Sequence, residues 1–309
     1  MVGAAAHCDL PAHSGDSQSF QSHLKQLIVD TLRTRNFVGR DVITALGPTD
    51  FQMKNIRLPK MPPEEMVSAV QFEAEDRLKI EGAAQVRHLR AGEVRHGNEL
   101  KEEVIVFAVK DDVVAARLAL LTSLKLCPVG VEIAPVAMAR SFLRFLRRAE
   151  DVNAVNVFVE VGHATTSIVI MHGTDVCFLK TLDIGGRDLS EAVSKALNLS
   201  IQQATELRVR IRPTLVRISR DLQLCLRYYA VTFRGERADG VTLVGGEAHE
   251  AMLKTVLSET IDLPCFVGNP LRGLTGAGLE GLSDLRMLAP AWAVACGLAG
   301  KARAVDPRG

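Results

Sequence analysis
The stretch VNVFVEVGHATTSIVIMHGTDVCFLKTLDIGGRDLSEAV, residues 155–193, limits the fold more than any other part of the chain. Its apolar runs are short, rich in Val and Ile, and bounded by glycine or small polar residues, which reads as strand rather than helix. Strands are expected at 155–161, 166–172 and 174–183, with Gly173 in the tight turn between the last two. The pair Gly185-Gly186 then opens a helix over 188–196. The first strand ends in Glu160, followed by Gly162, Thr165 and Thr166. Such a turn can present backbone N–H groups to a phosphate, and its carboxylate can hold a metal-bound water. It can equally be a β-meander with tight turns, and the residues alone leave both readings open.

A second glycine corner lies in VTLVGGEAHEAM, where a buried strand, Gly245-Gly246 and a helix over 248–257 follow in order. Bare backbone at a helix N-terminus admits a phosphate or nucleotide, and it also makes a tight strand-to-helix turn. GLAG, residues 297–300, puts small residues on the terminal helix, where something can pack close.

The rest of the chain alternates strands and helices, which sets the class as α/β with mixed sheets. A helix is expected over 20–36, strands in RDVITALG and FQMKNIRLP, and a helix entered through Pro62 and Pro63. Strands QVRHLRAGEV and EEVIVFAVK, a helix over 111–124, the strand PVGVEIA and a helix over 136–148 complete the first half. EEVIVFAVK is apolar enough to be core. The second half adds a helix in SIQQATELRVRI, a long helix over 215–233 and a strand end in CFVGNP.

Composition excludes several classes. Lys plus Arg is 37 against 36 Asp plus Glu, so there is no basic footprint for nucleic acid. The six cysteines are scattered without C-x-x-C spacing, which reads as buried thiols in a reducing compartment rather than a zinc site or disulfide framework. The longest uncharged run, residues 287–300, is shorter than the ~18 residues of a membrane span. The chain is expected to be soluble and intracellular, serving a membrane only through a partner.

Taken in order, the glycine corners resemble those of the actin-like (ribonuclease H-like) ATPase fold. The flanks are more specific. RLPKMPPEEMVSAVQFEAEDRL, LKLCPVGVEIAPVAMARSF, LDIGGRDLSEAVSKALNLSIQQATELR, VTLVGGEAHEAML and LPCFVGNPL follow one another in the order and spacing of the PilM family. These are cytoplasmic actin-like proteins of type IV pilus and type II secretion-like assembly, related to the cell-division protein FtsA. The resemblance covers nearly the whole chain.

It implies two lobes around a nucleotide, with a small α+β subdomain inserted over 59–131. The first lobe would comprise 1–58 and 132–150, with the terminal helix 288–302 returning to it, and the second lobe 151–287. By resemblance, ATP and Mg2+ would meet Glu160, Gly162, Thr165 and Thr166 at the second phosphate loop and Gly245 and Gly246 at the adenosine turn. Glu206 and Arg208 would lie beside the purine, with Gly297 on the return helix. No residue takes a catalytic role. The metal would be held by Glu160 through water, but the family usually carries Asp there. The extra methylene displaces the carboxylate by ~1.5 Å.

A larger departure is at the start. MVGAAAHCDLP resembles only the third strand of the family's opening sheet, and the first phosphate loop has no counterpart. Either ATP binding is lost or the chain start omits N-terminal strands. Three functions follow: a scaffold that docks the cytoplasmic tail of an inner-membrane pilus or secretion protein and can self-associate, an ATPase of the same fold, or a small-molecule kinase. The kinase ranks last, because no base candidate stands near an acceptor site.

Overall fold
The computed structural model describes residues 2–8, 10, 17–35, 37–96, 99–148, 151, 153–197, 200, 211–233, 237–276 and 289–305. Helices α1 (Ser17–Thr34), α2 (Pro63–Leu78), α3 (Asp111–Ser123) and α4 (Ala134–Leu143) belong to the first half. Helices α5 (Gly186–Leu197), α6 (Arg212–Phe233), α7 (Ala251–Ile261) and α8 (Ala293–Val305) belong to the second. Strands β1 (Asp41–Leu46), β2 (Gln52–Pro59), β3 (Ala84–His96), β4 (Glu99–Lys110) and β5 (Cys127–Ile133) precede β6 (Val155–Val161), β7 (Thr166–His172), β8 (Asp175–Leu182), β9 (Val241–Val244) and β10 (Cys265–Val267).

The large sheet has the order β10-β9-β6-β7-β8. β6, β7 and β8 form the antiparallel meander expected from the sequence, and β9 and β10 add to it in parallel. Side chains alternate across a strand, so β6 serves two cores. Val157, Val159 and Val161 face α5, α6 and α7, where Leu215, Ile218 and Leu222 of α6 are fully buried. Phe158 points the other way and stacks on Phe142 of α4, with ring centroids 4.9 Å apart. Each fully buried side chain of this size contributes ~1.5–3 kcal/mol. This double core fixes the strand ends that carry the glycine corners.

The first half holds two small sheets. β1 and β5 pair in parallel, and α8 packs across α4 and β1 beside them. β4 is the centre of an antiparallel sheet of order β2-β4-β3, and its run Val104–Val109 is buried, as expected of core. Val104 and Val106 pack under α2 with Met66, Val70 and Ala74. β2 therefore joins this sheet by hydrogen bonding, whereas the expected boundary at residue 59 left it in the first lobe. β5 pairs β1 instead of belonging wholly to the insertion.

Glu103, on the opposite face of β4 from Val104, ties this sheet to α6. It accepts from Arg57 Nε at 2.7 Å and from the Tyr228 hydroxyl, and it is 1% exposed. Burial, then the Glu103 bond, pushes the Tyr228 pKa up, so the phenol stays a donor. Beside it, Gly92 lies at a bulge of β3 with φ 138°, close under the Phe233 ring. Tyr228→Phe leaves a buried carboxylate short of a donor. It is expected to cost ~1.5–3 kcal/mol in urea unfolding, the range for hydrogen bonds to charged groups.

Several expectations need correction. Residues 2–8 form no strand: the run Gly3-Ala4-Ala5-Ala6 is poor in strand formers, and Val2 N–H donates instead to the Thr275 carbonyl at 2.8 Å. α4 stops at Leu143 rather than 148, because the Asp151 carboxylate takes the amides of Arg147 and Arg148 at 2.7 Å each. α7 starts at Ala251 rather than 248, where the Glu250 side chain caps the Met252 amide. Cys177, Cys225 and Cys265 are buried thiols as expected, but Cys8 and Cys127 are exposed. Desolvation pushes the Cys225 thiol up to about 12 and Cys177 to about 11, which leaves both poor nucleophiles. The helix expected over 200–212 lies outside the described residues.

Candidate functional site
Two places bring chemistry-bearing residues together. The first is the meeting of the glycine corners at the ends of β6 and β9. Gly186 N–H donates to the Gly162 carbonyl at 2.9 Å, and Arg187 N–H to the His163 carbonyl at 2.8 Å. Gly245, with φ 89°, lies against Val161: a Cβ there would be 2.5 Å from the Val161 carbonyl oxygen. Its own N–H donates to the Pro290 carbonyl at 3.1 Å, and Glu247 N–H donates to Val161 at 3.2 Å. Stretches more than 80 residues apart in sequence thus share one corner, and glycine is required there because backbone packs on backbone.

The site residues named from the sequence divide unequally. Gly162 closes its turn by donating to the Thr165 carbonyl at 3.0 Å. Thr166 is fully buried, and its hydroxyl donates to the Ile184 carbonyl at 2.7 Å, which holds β7 to the start of α5. Gly246 is exposed with open space around it. The Glu247 carboxylate sits directly over the α-carbon of Gly186, at the N-terminus of α5. Gly297 is not at this corner. On α8 it touches α4, and a Cβ there would be driven into the Ala137 carbonyl, so its small size serves a helix crossing. Glu206 and Arg208 lie outside the described residues.

The corner fits a phosphate clamp poorly. The amides of Gly162, Gly186, Arg187, Gly245 and Glu247 are all spent on protein carbonyls. The Thr166 hydroxyl is spent likewise, and a carboxylate already occupies the start of α5.

Glu160 lies at the end of β6 on the face of Phe158, paired in register with Ser167 and Val244. Among the described residues no ion pair or hydrogen bond is made by its side chain. Desolvation raises its carboxyl from 4.5 to about 7. Between those values the unfolded chain has lost the proton and the folded chain keeps it. Stability therefore falls as pH rises from about 4.5 to about 7 and levels off above. Glu160→Gln is expected to match the parent near pH 4 and to exceed it at pH 8 by on the order of 3 kcal/mol. Urea unfolding at the two pH values reads the difference.

The second place is a groove of about 510 Å³ between the β2-β4-β3 sheet, α3 and the β1-β5 pair. Phe107 and Val109 of β4 form its floor, and Val114 and Leu118 of α3 form one wall. Arg87, His88 and Leu89 of β3 and Val131, Glu132 and Ile133 of β5 line it as consecutive runs. Because neighbouring side chains on a strand point to opposite faces, such runs mean that strand edges, not faces, border the groove. β3 pairs only with β4, and β5 only with β1, so among the described residues both strands have a free edge. Glu132 is held at the rim by Arg140, which contacts both carboxylate oxygens, and by Lys301 at 3.6 Å. α3 is apolar over Val113–Leu121 apart from Arg117, yet none of its residues is buried.

The resemblance implied a tail-binding groove near the first lobe, but from the sequence EEVIVFAVK, which supplies the floor, reads as core. A signal for its wall was present in DDVVAARLALLTS, a helix apolar on most sides, which in contact with water needs cover.

Residues 16–303 match the family described as type IV pilus assembly protein PilM. The chain belongs to the PilM family. Among solved structures it is similar to the PilM-PilN type IV pilus biogenesis complex, at 26% identity and TM-score 0.78, covering 92% of this chain and 85% of that one. The fold is accordingly actin-like, as the glycine corners suggested. An archaeal actin homologue is also similar, at 14% identity and TM-score 0.48, covering 91% of this chain and 75% of that one. A Bacteroides thetaiotaomicron protein with an actin-like ATPase fold aligns at 13% identity and TM-score 0.45, covering 82% and 79% of the two chains. No helix among the described residues of this PilM-family chain is long and apolar enough to cross a membrane.

Proposed function
We propose that this chain is an actin-fold scaffold of type IV pilus assembly that holds the cytoplasmic tail of a PilN-like inner-membrane protein in the groove between β3, β5 and α3. The carrying observation is the pair of free strand edges flanking an apolar floor, beside a helix with no buried residue. An extended tail satisfies all three needs: its backbone pairs an edge, its alternate side chains fill the floor, and its bulk covers α3. The scaffold stays peripheral to the membrane, reaching it through that tail. A synthetic peptide of the partner's tail, labelled and titrated with the protein in an anisotropy assay, is expected to saturate at one peptide per chain. A peptide of scrambled sequence that bound equally well would refute the assignment.

A nucleotide-switched ATPase is the second reading, favoured by the meeting of the three glycine corners. Thermal melting in saturating Mg-ATP tests it. A ligand at 100 times its Kd stabilises by ~2.7 kcal/mol, worth roughly 2–4 °C per kcal/mol for a domain of about 150–250 residues. The scaffold reading expects no shift, in keeping with amides and a hydroxyl already spent within the corner.

A further inference from the structure
Two helices carry exposed faces of opposite sign, each centred on apolar side chains. On α6, Arg217, Arg220, Leu224, Arg227 and Val231 recur at steps of three and four and form one stripe. All five are exposed, Leu224 by 55% and Val231 by 75%. The three arginines make no ion pair among the described residues, whereas Arg212, earlier on α6, pairs with Glu259 at 2.8 Å. On α2 the exposed face presents Phe72, 71% exposed, with Glu65, Glu75 and Asp76 around it and Glu64 beyond. No ion pair among the described residues neutralises these four carboxylates, and Glu75 only accepts from Gln71 at 3.2 Å. By contrast Glu73, on the inner side of α2, pairs with Arg77.

The two faces cannot meet within one chain. α2 covers the side of the β2-β4-β3 sheet that Val104 and Val106 present, and α6 reaches that sheet from the other side, through Tyr228 and Glu103. We infer that α2 of one copy docks on the α6 stripe of the next, Phe72 lying between Leu224 and Val231 and the carboxylates facing Arg217, Arg220 and Arg227. The occupant is a second copy because this chain supplies both halves of the match, in charge and in apolar content. Different patches on the two sides make the contact heterologous, so copies add head to tail. Two helix stripes bury less than a standard stable interface, ~1,200–2,000 Å², so each contact is weak and growth needs high local concentration. The tail groove lies on neither helix and stays open in such a row.

Sedimentation velocity of the full chain at rising concentration is the test. In low salt the weight-average mass is expected to climb past that of a dimer, and to fall back in ~1 M salt, where the Debye length is ~3 Å. The triple variants Arg217→Glu/Arg220→Glu/Arg227→Glu and Glu65→Arg/Glu75→Arg/Asp76→Arg alter exposed positions only and should melt as the parent does. Each alone is expected to remain monomeric. Mixed in equal amounts they regain assembly, because each reversed face meets a complementary one on the other variant. Phe72→Ser weakens the parent's association at least tenfold. A parent that stays monomeric in low salt, a triple variant that assembles like the parent, or a mixture that stays monomeric would each overturn the contact.

Discussion

Leu118→Asp is expected to abolish binding of the membrane partner's tail while leaving the fold in place. Leu118 lies on α3 in the wall of the groove, half-buried, and unlike Val113 and Val114 of the same helix it does not pack against the core. The substitution therefore removes little that the unliganded chain depends on. In the complex the same position is covered, and a carboxylate there is taken out of water in a groove whose lining includes Phe107, Val109 and Val114. Loss of an anchor at the centre of an interface costs ~2 kcal/mol or more, which is roughly thirtyfold in Kd, and desolvating the new charge adds to it. Ala119→Asp, on the same helix but exposed and outside the groove lining, should bind as the parent does. Anisotropy titrations of both variants, with melting curves alongside, separate a lost contact from a lost fold. Equal weakening by the two would place the tail elsewhere.

Gly297→Ala is expected to lower stability sharply, and Gly300→Ala, one turn further along α8, to raise it slightly. Helix propensity alone favours alanine over glycine by ~0.8–1 kcal/mol at both positions. Their surroundings differ. A Cβ at Gly300 has open space, whereas one at Gly297 runs into the Ala137 backbone where α8 crosses α4. Backbone cannot turn aside as a side chain can, so the helices must part. Overpacking of this kind costs ~1–3 kcal/mol and occasionally more, enough to reverse the propensity gain. The Gly297 variant should lose on the order of 2 kcal/mol net and melt ~4–8 °C lower. Thermal melting of the pair checks both signs. A Gly297→Ala protein as stable as the parent would show that the crossing can part to admit a methyl group without cost.

Much of the second half was legible in the sequence. The limits of β6 and β7 fall where the Val- and Ile-rich runs stop, because a strand buried on both faces needs apolar residues at nearly every position. The corners at Gly162, Gly185-Gly186 and Gly245-Gly246 were legible as corners, since few other residues let backbone approach backbone so closely. Their mutual contact follows from β6 and β9 lying side by side in parallel, a pairing between residues 157–160 and 241–244 that no local pattern encodes.

The role of a residue proved harder to read than its place. Thr166 and Gly297 have the residue types of a ligand site, but the structure gives Thr166 the Ile184 carbonyl and Gly297 the Ala137 backbone. Small and hydroxyl side chains suit ligands and close packing alike, so only the neighbour decides. The groove has the same origin: Leu89, Leu118 and Val131 come from three elements, and the vacancy between them is a property of how those elements stand apart. By itself the sequence determined most of the described strands and helices and the glycine corners, because backbone preference and hydrophobic period act over a few residues. The tertiary structure alone decided which strand edges stay free, which glycines serve packing and where a groove opens, because each of these depends on contacts between segments far apart in the chain.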